Sequence, residues 1–287
     1  MVMFTFNPSG LLAKEKFDIN AYEGFDPTFA SRYLIQASIL RAYQEATGIK
    51  KLKVLDVGGS GSIITQFIDV DLTIIDILPN TSKLDNYIEG SALLMPFADN
   101  SFDVVISCDV LEHIKKEDRD KFIKESSRVS KDFLIIAAPY NLSGVRLAEI
   151  SANNFYKNLT GKDHIWLLEH LQDELPELNQ AVDAFNSIGL KTNHFSHTSL
   201  DYWQLITRAG FLLSLEEKYP MFVKKIKQLN YYYLDKIMSK DFSETGYRTF
   251  LLASKKAEIK LVKEKDIYSP ELEIIFSIMT DGLLDLI

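Results

Sequence analysis

The sequence predicts an α/β fold: one mostly parallel sheet of seven strands, interrupted by helical insertions. Two observations carry this reading. From Lys51 onward, short apolar runs alternate with stretches of helical periodicity, the rhythm of repeated strand–helix–strand units. The runs are almost continuously hydrophobic, as strands covered on both faces must be.

Taken in order, residues 11–50 read as mostly helical, with Tyr33, Leu34, Ile35, Ile39, Leu40 and Tyr43 as an apolar stripe and Gly48 as its C-cap. Strands are expected at 53–57, 72–76, 87–89, 102–107 and 133–138. A charged helix from Glu117 to Ser130 joins the fourth to the fifth and buries Phe122, Ile123 and Val129. Residues 142–188 read as helical with a loop at Gly161, Gly189 to Phe195 as a sixth strand, 199–238 as a helical insertion, and Tyr247 to Ser254 as a seventh strand. Within the insertion, Phe222, Ile226, Leu229, Tyr233 and Ile237 fall at helical spacing and predict an amphipathic helix on the core. The chain thus divides into an N-terminal helical segment at 1–50, a main domain at 51–255 with insertions at about 142–188 and 199–242, and a C-terminal helical extension at 256–287.

Lys and Arg number 32 against 40 Asp and Glu, a net charge of -8, whereas a domain built to hold bare nucleic acid carries a basic surface. The single cysteine, Cys108, excludes an intramolecular disulfide and a Cys/His zinc cluster. Met1 to Gly10 lacks the basic and apolar regions of a secretory signal, and no window has the ~18 consecutive apolar residues of a membrane span. A cytoplasmic location is expected, and assembly into a homo-oligomer is compatible with this composition.

The segment richest in chemistry is Val54-Leu55-Asp56-Val57-Gly58-Gly59-Ser60-Gly61-Ser62, a strand entering a glycine cluster and then a short helix expected near Ile63. Glycines let the backbone turn sharply and approach a ligand closely. The alternative is a tight turn with no ligand. A dinucleotide fingerprint needs glycine at the first, third and sixth positions, which no register supplies here, and a P-loop needs a lysine that is absent. Asp56 at the loop's mouth repels phosphate and favours a cation, such as the amino group of a methionine moiety. The second strand ends in Asp76, which can accept hydrogen bonds from two ribose hydroxyls or, alternatively, cap a helix.

Four segments in this order resemble the class I S-adenosylmethionine-dependent methyltransferases, in particular the small-molecule type 11 group, over about Lys51 to Tyr140. They are Val54 to Gly61, Asp76, Gly90 to Val105, and Asp109-Val110-Leu111-Glu112-His113-Ile114. The resemblance implies a Rossmann-like methyltransferase fold, doubly wound in the order 3-2-1-4-5-7-6 with the seventh strand antiparallel. It implies S-adenosylmethionine as cofactor, held by Asp56, Gly58, Gly59, Gly61, Asp76, Ile77, Ser91, Ala92, Cys108 and Asp109. It also implies that Gly58, Asp76, Ser91 and Asp109 lie along one edge, and that Phe17, Tyr22, Phe25, Arg32 and Tyr33 form a lid. Ser60 and Ser62 stand where the family's loop has glycines, and Ser91 where it commonly has Asp.

For the chemistry, methyl transfer to oxygen needs a base, and His113 just beyond the fourth strand is the candidate; the alternative is a capping residue. Asp109, Glu112 and His113 would share a helical face and could hold a divalent ion, as a similar arrangement does in the quinone O-methyltransferase branch; cofactor contact and capping, with no metal, is the expectation here. Cys108 reads as a small strand residue rather than a nucleophile. The polar, aromatic stretch Gly161 to His170 suits a small-molecule or glycan acceptor bearing hydroxyls; the alternative is a helical cover with two surface histidines. The serine departures motivate a second reading, a non-catalytic methyltransferase-like binding subunit.

Overall fold

The computed structural model describes residues 3–6, 26–81, 83–243 and 245–261. Strand β1 is Met3–Phe6, followed by helix α1, Pro27–Thr47. The main sheet then forms from β2 (Lys53–Val57), β3 (Asp71–Asp76), β4 (Tyr87–Glu89), β5 (Phe102–Cys108) and β6 (Ser130–Pro139), with α2 (Arg119–Val129) between the last two. Three helices follow, α3 (Val145–Thr160), α4 (Ile165–Gln172) and α5 (Leu178–Ser187). Next come β7 (Lys191–Ser199), α6 (Leu200–Leu212), α7 (Pro220–Tyr232), β8 (Gly246–Ser254) and β9 (Glu258–Leu261).

Seven strands lie in the order β4-β3-β2-β5-β6-β8-β7, and only β8 runs antiparallel to its neighbours. This is the expected doubly wound arrangement. Alternation along the strands explains why their apolar runs are continuous. Phe133, Ile135 and Ala137 of β6 face one core, with α1, α6 and α7, while Leu134, Ile136 and Ala138 face another, with α2 and α5. Each face is covered by helices, so neither can be polar. Among the described residues no helix is long and apolar enough to cross a membrane.

Helix α1 starts where Asp26 accepts the Thr28 amide at 2.7 Å, with Pro27 at the first helical position. It stops at Gly48, whose left-handed φ of 72° lets its amide close on the Gln44 carbonyl. The expected apolar stripe is broader than a stripe: Ser31, Gln36 and Ser38 are buried as well. Helices of the second insertion pack on the first core through Ile226, Tyr233 and Ile237.

Four expectations are corrected. The helix expected after the glycine loop is a single 3-10 turn at Ile64–Gln66, because the chain must reach β3 by Asp71, whose amide already pairs with Leu52. The sixth strand begins at Lys191, not Gly189, because Gly189 (φ 85°) and Leu190 still close the end of α5 through their amides. It runs on to Ser199, paired with β8 as far as Gly246. Within the expected C-terminal helix, Glu258–Leu261 is a strand parallel to Met3–Phe6. Exposed Glu258 and Lys260 flank buried Ile259, a period of two rather than 3.6. Residues 7–25 and 262–287, which hold Phe17, Tyr22, Phe25 and the rest of that extension, lie outside the described residues.

Candidate active site

The carboxyl ends of β2, β3, β4 and β5 open onto a cavity of about 720 Å³. Its glycine loop leaves β2 at Gly58 (φ 76°), whose amide donates to the Ile75 carbonyl at 2.7 Å and ties the loop to β3. A Cβ at Gly58 would collide with the Val110 side chain, so only glycine lets this turn approach the segment after β5. At Gly59 a Cβ would stand 2.5–2.9 Å from the carboxyl atoms of Asp56, which occupies the space beneath the loop. Asp56 is 3% exposed, and one of its carboxylate oxygens has no hydrogen-bond partner. Burial pushes its pKa up to about 6, against the opposing pull of Ser62 and Arg32.

Asp76 sits at the tip of β3 and joins loop to strand. One carboxylate oxygen accepts the Ser60 amide at 2.9 Å and the other accepts the Leu78 amide at 3.0 Å. Each oxygen keeps further acceptor capacity, and Asp76 lines the cavity. Of the residues expected to hold cofactor, Gly58, Asp76, Ile77, Ser91, Ala92 and Asp109 line this cavity. Asp56, Gly59, Gly61 and Cys108 do not. Cys108 is buried, and burial pushes its thiol well above the ordinary range, in keeping with a strand residue rather than a nucleophile.

Past β5 the chain does not form the expected helix with Asp109, Glu112 and His113 on one face. Asp109 takes a left-handed φ of 56°, and only Leu111–His113 forms a 3-10 turn. The Asp109 carboxylate is gripped by Arg248 of β8 and by Arg32 of α1, the latter at 2.8 Å. Burial would raise its pKa, but the two guanidiniums hold it well below the usual carboxylate range. Glu112 and His113 instead meet His170 of α4. Burial, and then the Asp109 charge, push Glu112 up; burial and then His170 hold His113 down. Burial alone would also lower His170, but its bond to Glu149 together with the charges of Glu112, Glu149 and Asp109 outweighs burial and raises it.

Of the polar stretch Gly161 to His170, four residues reach the cavity wall: His164, Trp166, Leu167 and His170. Trp203 and Tyr247 stack nearby at 3.9 Å between centroids. Of the expected lid, Arg32 lines the cavity, and Tyr33 is buried. Sequence reasoning missed Arg248, Glu149, Tyr247 and Trp203. Two of these carried a readable signal. Arg248 is the one charge in an otherwise uncharged, fully buried strand, and Glu149 lies on the buried face of α3 with Val145, Ala148 and Ala152.

A family model described as a methyltransferase domain matches residues 55–133. An uncharacterized methyltransferase of Mycolicibacterium gilvum is 28% identical over 116 residues, covering 36% of this chain and 46% of the relative. One from Mycobacteroides abscessus is 27% identical over 121 residues, covering 37% and 47%. The aligned region thus spans under half the length of these curated relatives. Among solved structures, magnesium protoporphyrin IX methyltransferase from Synechocystis superposes with a TM-score of 0.47 at 12% identity, over 85% of this chain and 90% of that one. Residues 55–133 thus match a methyltransferase-domain model, and the sheet that holds them has the doubly wound strand order described above.

Proposed function

We propose that this protein transfers the methyl group of S-adenosylmethionine to a hydroxyl oxygen of a small-molecule or glycan acceptor. One observation carries the reading: a single cavity is lined both by Gly58, Asp76 and Ser91 and by Glu112, His113 and His170. Residues read as donor-side and acceptor-side thus share one cavity, as a direct displacement requires.

The chain's residues fit an adenosyl donor. Asp76 offers carboxylate lone pairs to ribose hydroxyls, and Gly58 leaves backbone where a Cβ would stand. The orphaned oxygen of Asp56 beneath the loop disfavours phosphate and favours a cationic amino group. Ser91 can accept from the adenine amino group. When bound, the cofactor supplies a methyl carbon made electrophilic by its sulfonium. His113, at the acceptor end, takes the hydroxyl proton as the oxygen attacks. Trp166, His164 and Tyr247 line the space in which a hydroxylated ring would be oriented.

Calorimetry with S-adenosylmethionine and its demethylated product, followed by transfer of labelled methyl to a panel of hydroxylated acceptors, tests this. Binding with label transfer is expected. No binding of either compound would overturn it. Binding without transfer to any acceptor would favour a binding subunit, the reading that Ser60, Ser62 and Ser91 motivate.

A further inference from the structure

The cavity's acceptor end contains a cluster that methyl transfer by a lone base does not explain. One ligand atom each from Glu112, His113 and His170 lie within 4.8 Å of one another. The Nε2 atoms of the two imidazoles face each other at 3.5 Å. Two ring nitrogens bound to one tetrahedral cation at about 2.0–2.1 Å stand roughly 3.4 Å apart, so this spacing is that of two ligands on one ion.

The far nitrogen of His170 is held as a metal-ligating histidine holds its own. His170 Nδ1 meets Glu149 Oε1 at 2.8 Å, and Tyr247 donates its hydroxyl to the same oxygen at 2.9 Å. His113 Nδ1 lies 3.3 Å from Glu169 Oε2. A carboxylate lies on the far side of each imidazole, bonded to His170 and close to His113, and the two Nε2 atoms meet each other on the near side. Glu112 is 3% exposed, and neither of its carboxylate oxygens has a hydrogen-bond partner. A buried carboxylate with no donor is costly, and a cation between it and the two imidazoles would satisfy it.

We propose that Glu112, His113 and His170 bind a divalent transition-metal ion of the zinc class, with an open coordination position toward the cavity. Two imidazoles and one carboxylate suit such an ion better than magnesium or calcium, which prefer oxygen donors. Three protein ligands with an open fourth position is the pattern of a working site rather than a structural one. The set differs from the trio suggested by sequence spacing, because Asp109 is occupied by its two arginines and His170 arrives from α4 in its place. His170 lies outside the matched family segment. The ion's role rests on the methyl-transfer reading, although its binding does not. The acceptor hydroxyl would take the fourth position and lose its proton to water, and its oxygen would then form the bond to the methyl carbon as the carbon–sulfur bond breaks. His113 would in that case act as ligand instead of base.

The test uses the full chain, without a histidine tag, stripped by chelator and titrated with Zn²⁺ by calorimetry. One ion per chain is expected, with His170→Ala and Glu112→Gln weakening it at least about 100-fold and Glu149→Gln roughly 10-fold. No stoichiometric uptake by the natural chain, or unchanged affinity in folded His170→Ala and Glu112→Gln, would overturn the proposal. Should those variants fail to fold, Co²⁺ in the natural chain decides: ligand-field bands of tetrahedral intensity support the site, and octahedral intensity overturns it. Parallel titration with the demethylated cofactor separates the two readings. Zinc uptake without cofactor binding sinks the transferase and leaves the metal site, whereas cofactor binding without zinc sinks the metal site alone.

Discussion

Arg248 reaches Asp109 through two parallel hydrogen bonds, Nε to Oδ1 at 2.7 Å and Nη2 to Oδ2 at 2.6 Å, across 139 positions of sequence. The pair links the antiparallel strand β8 to the segment after β5. Arg32 adds a third bond from α1, so one carboxylate holds three elements around the cavity. Planar guanidinium against carboxylate is the strong form of this contact.

Unequal costs follow from that geometry. Asp109→Asn leaves two guanidiniums side by side without an anion and is expected to cost about 3–5 kcal/mol. Arg248→Met leaves Asp109 still paired with Arg32 and should cost less, about 1–3 kcal/mol. Arg32→Met, at the more exposed position, should cost least. Urea unfolding of the three variants checks the order; equal losses would contradict it.

Asp76 joins the glycine loop to β3 and faces the cavity. Asp76→Ala frees the Ser60 amide and removes the carboxylate proposed to accept from two ribose hydroxyls. At about 1.5–3 kcal/mol for hydrogen bonds to a charged group, the demethylated cofactor should bind roughly 10- to 100-fold more weakly. Isothermal titration reads this directly.

Asp56 makes stability depend on pH with an unusual sign. Its pKa is about 6 in the fold, raised by burial from 3.8. The folded state therefore binds the proton more tightly than the unfolded chain. The resulting stability is fully present below about pH 4 and is lost as pH rises through about 6, a change on the order of 3 kcal/mol. Asp56→Asn should lack this decline, so the two unfolding curves should diverge between pH 4 and 7. If the carboxylate meets the cofactor's amino group, cofactor affinity should rise over the same window as the acid ionises. A pH-independent difference between the two chains would refute the buried acid.

Gly58→Ala places a side chain in left-handed backbone and against Val110. Together these should cost about 2–5 kcal/mol. Adding Val110→Ala removes the collision but not the backbone strain, so the double variant should recover part of the loss. Melting temperatures of both variants check this, with no recovery counting against the close approach.

Local chemistry made the fold class and the glycine-loop wall of the cavity legible in the residues themselves. Continuous apolar runs announced strands buried on both faces, and Asp56, the glycines and Asp76 fall within about twenty positions, so their relation is set by one strand–turn–strand unit. The acceptor end was decided only in three dimensions. Asp109, Glu112 and His113 looked like one helical face, but β8 and α1 supply the arginines that claim Asp109, and α4 supplies His170. Those partners come from 57 to 139 positions away. Spacing along a chain fixes which side chains share a face of one element; it says nothing about which elements a sheet's crossovers will bring against it.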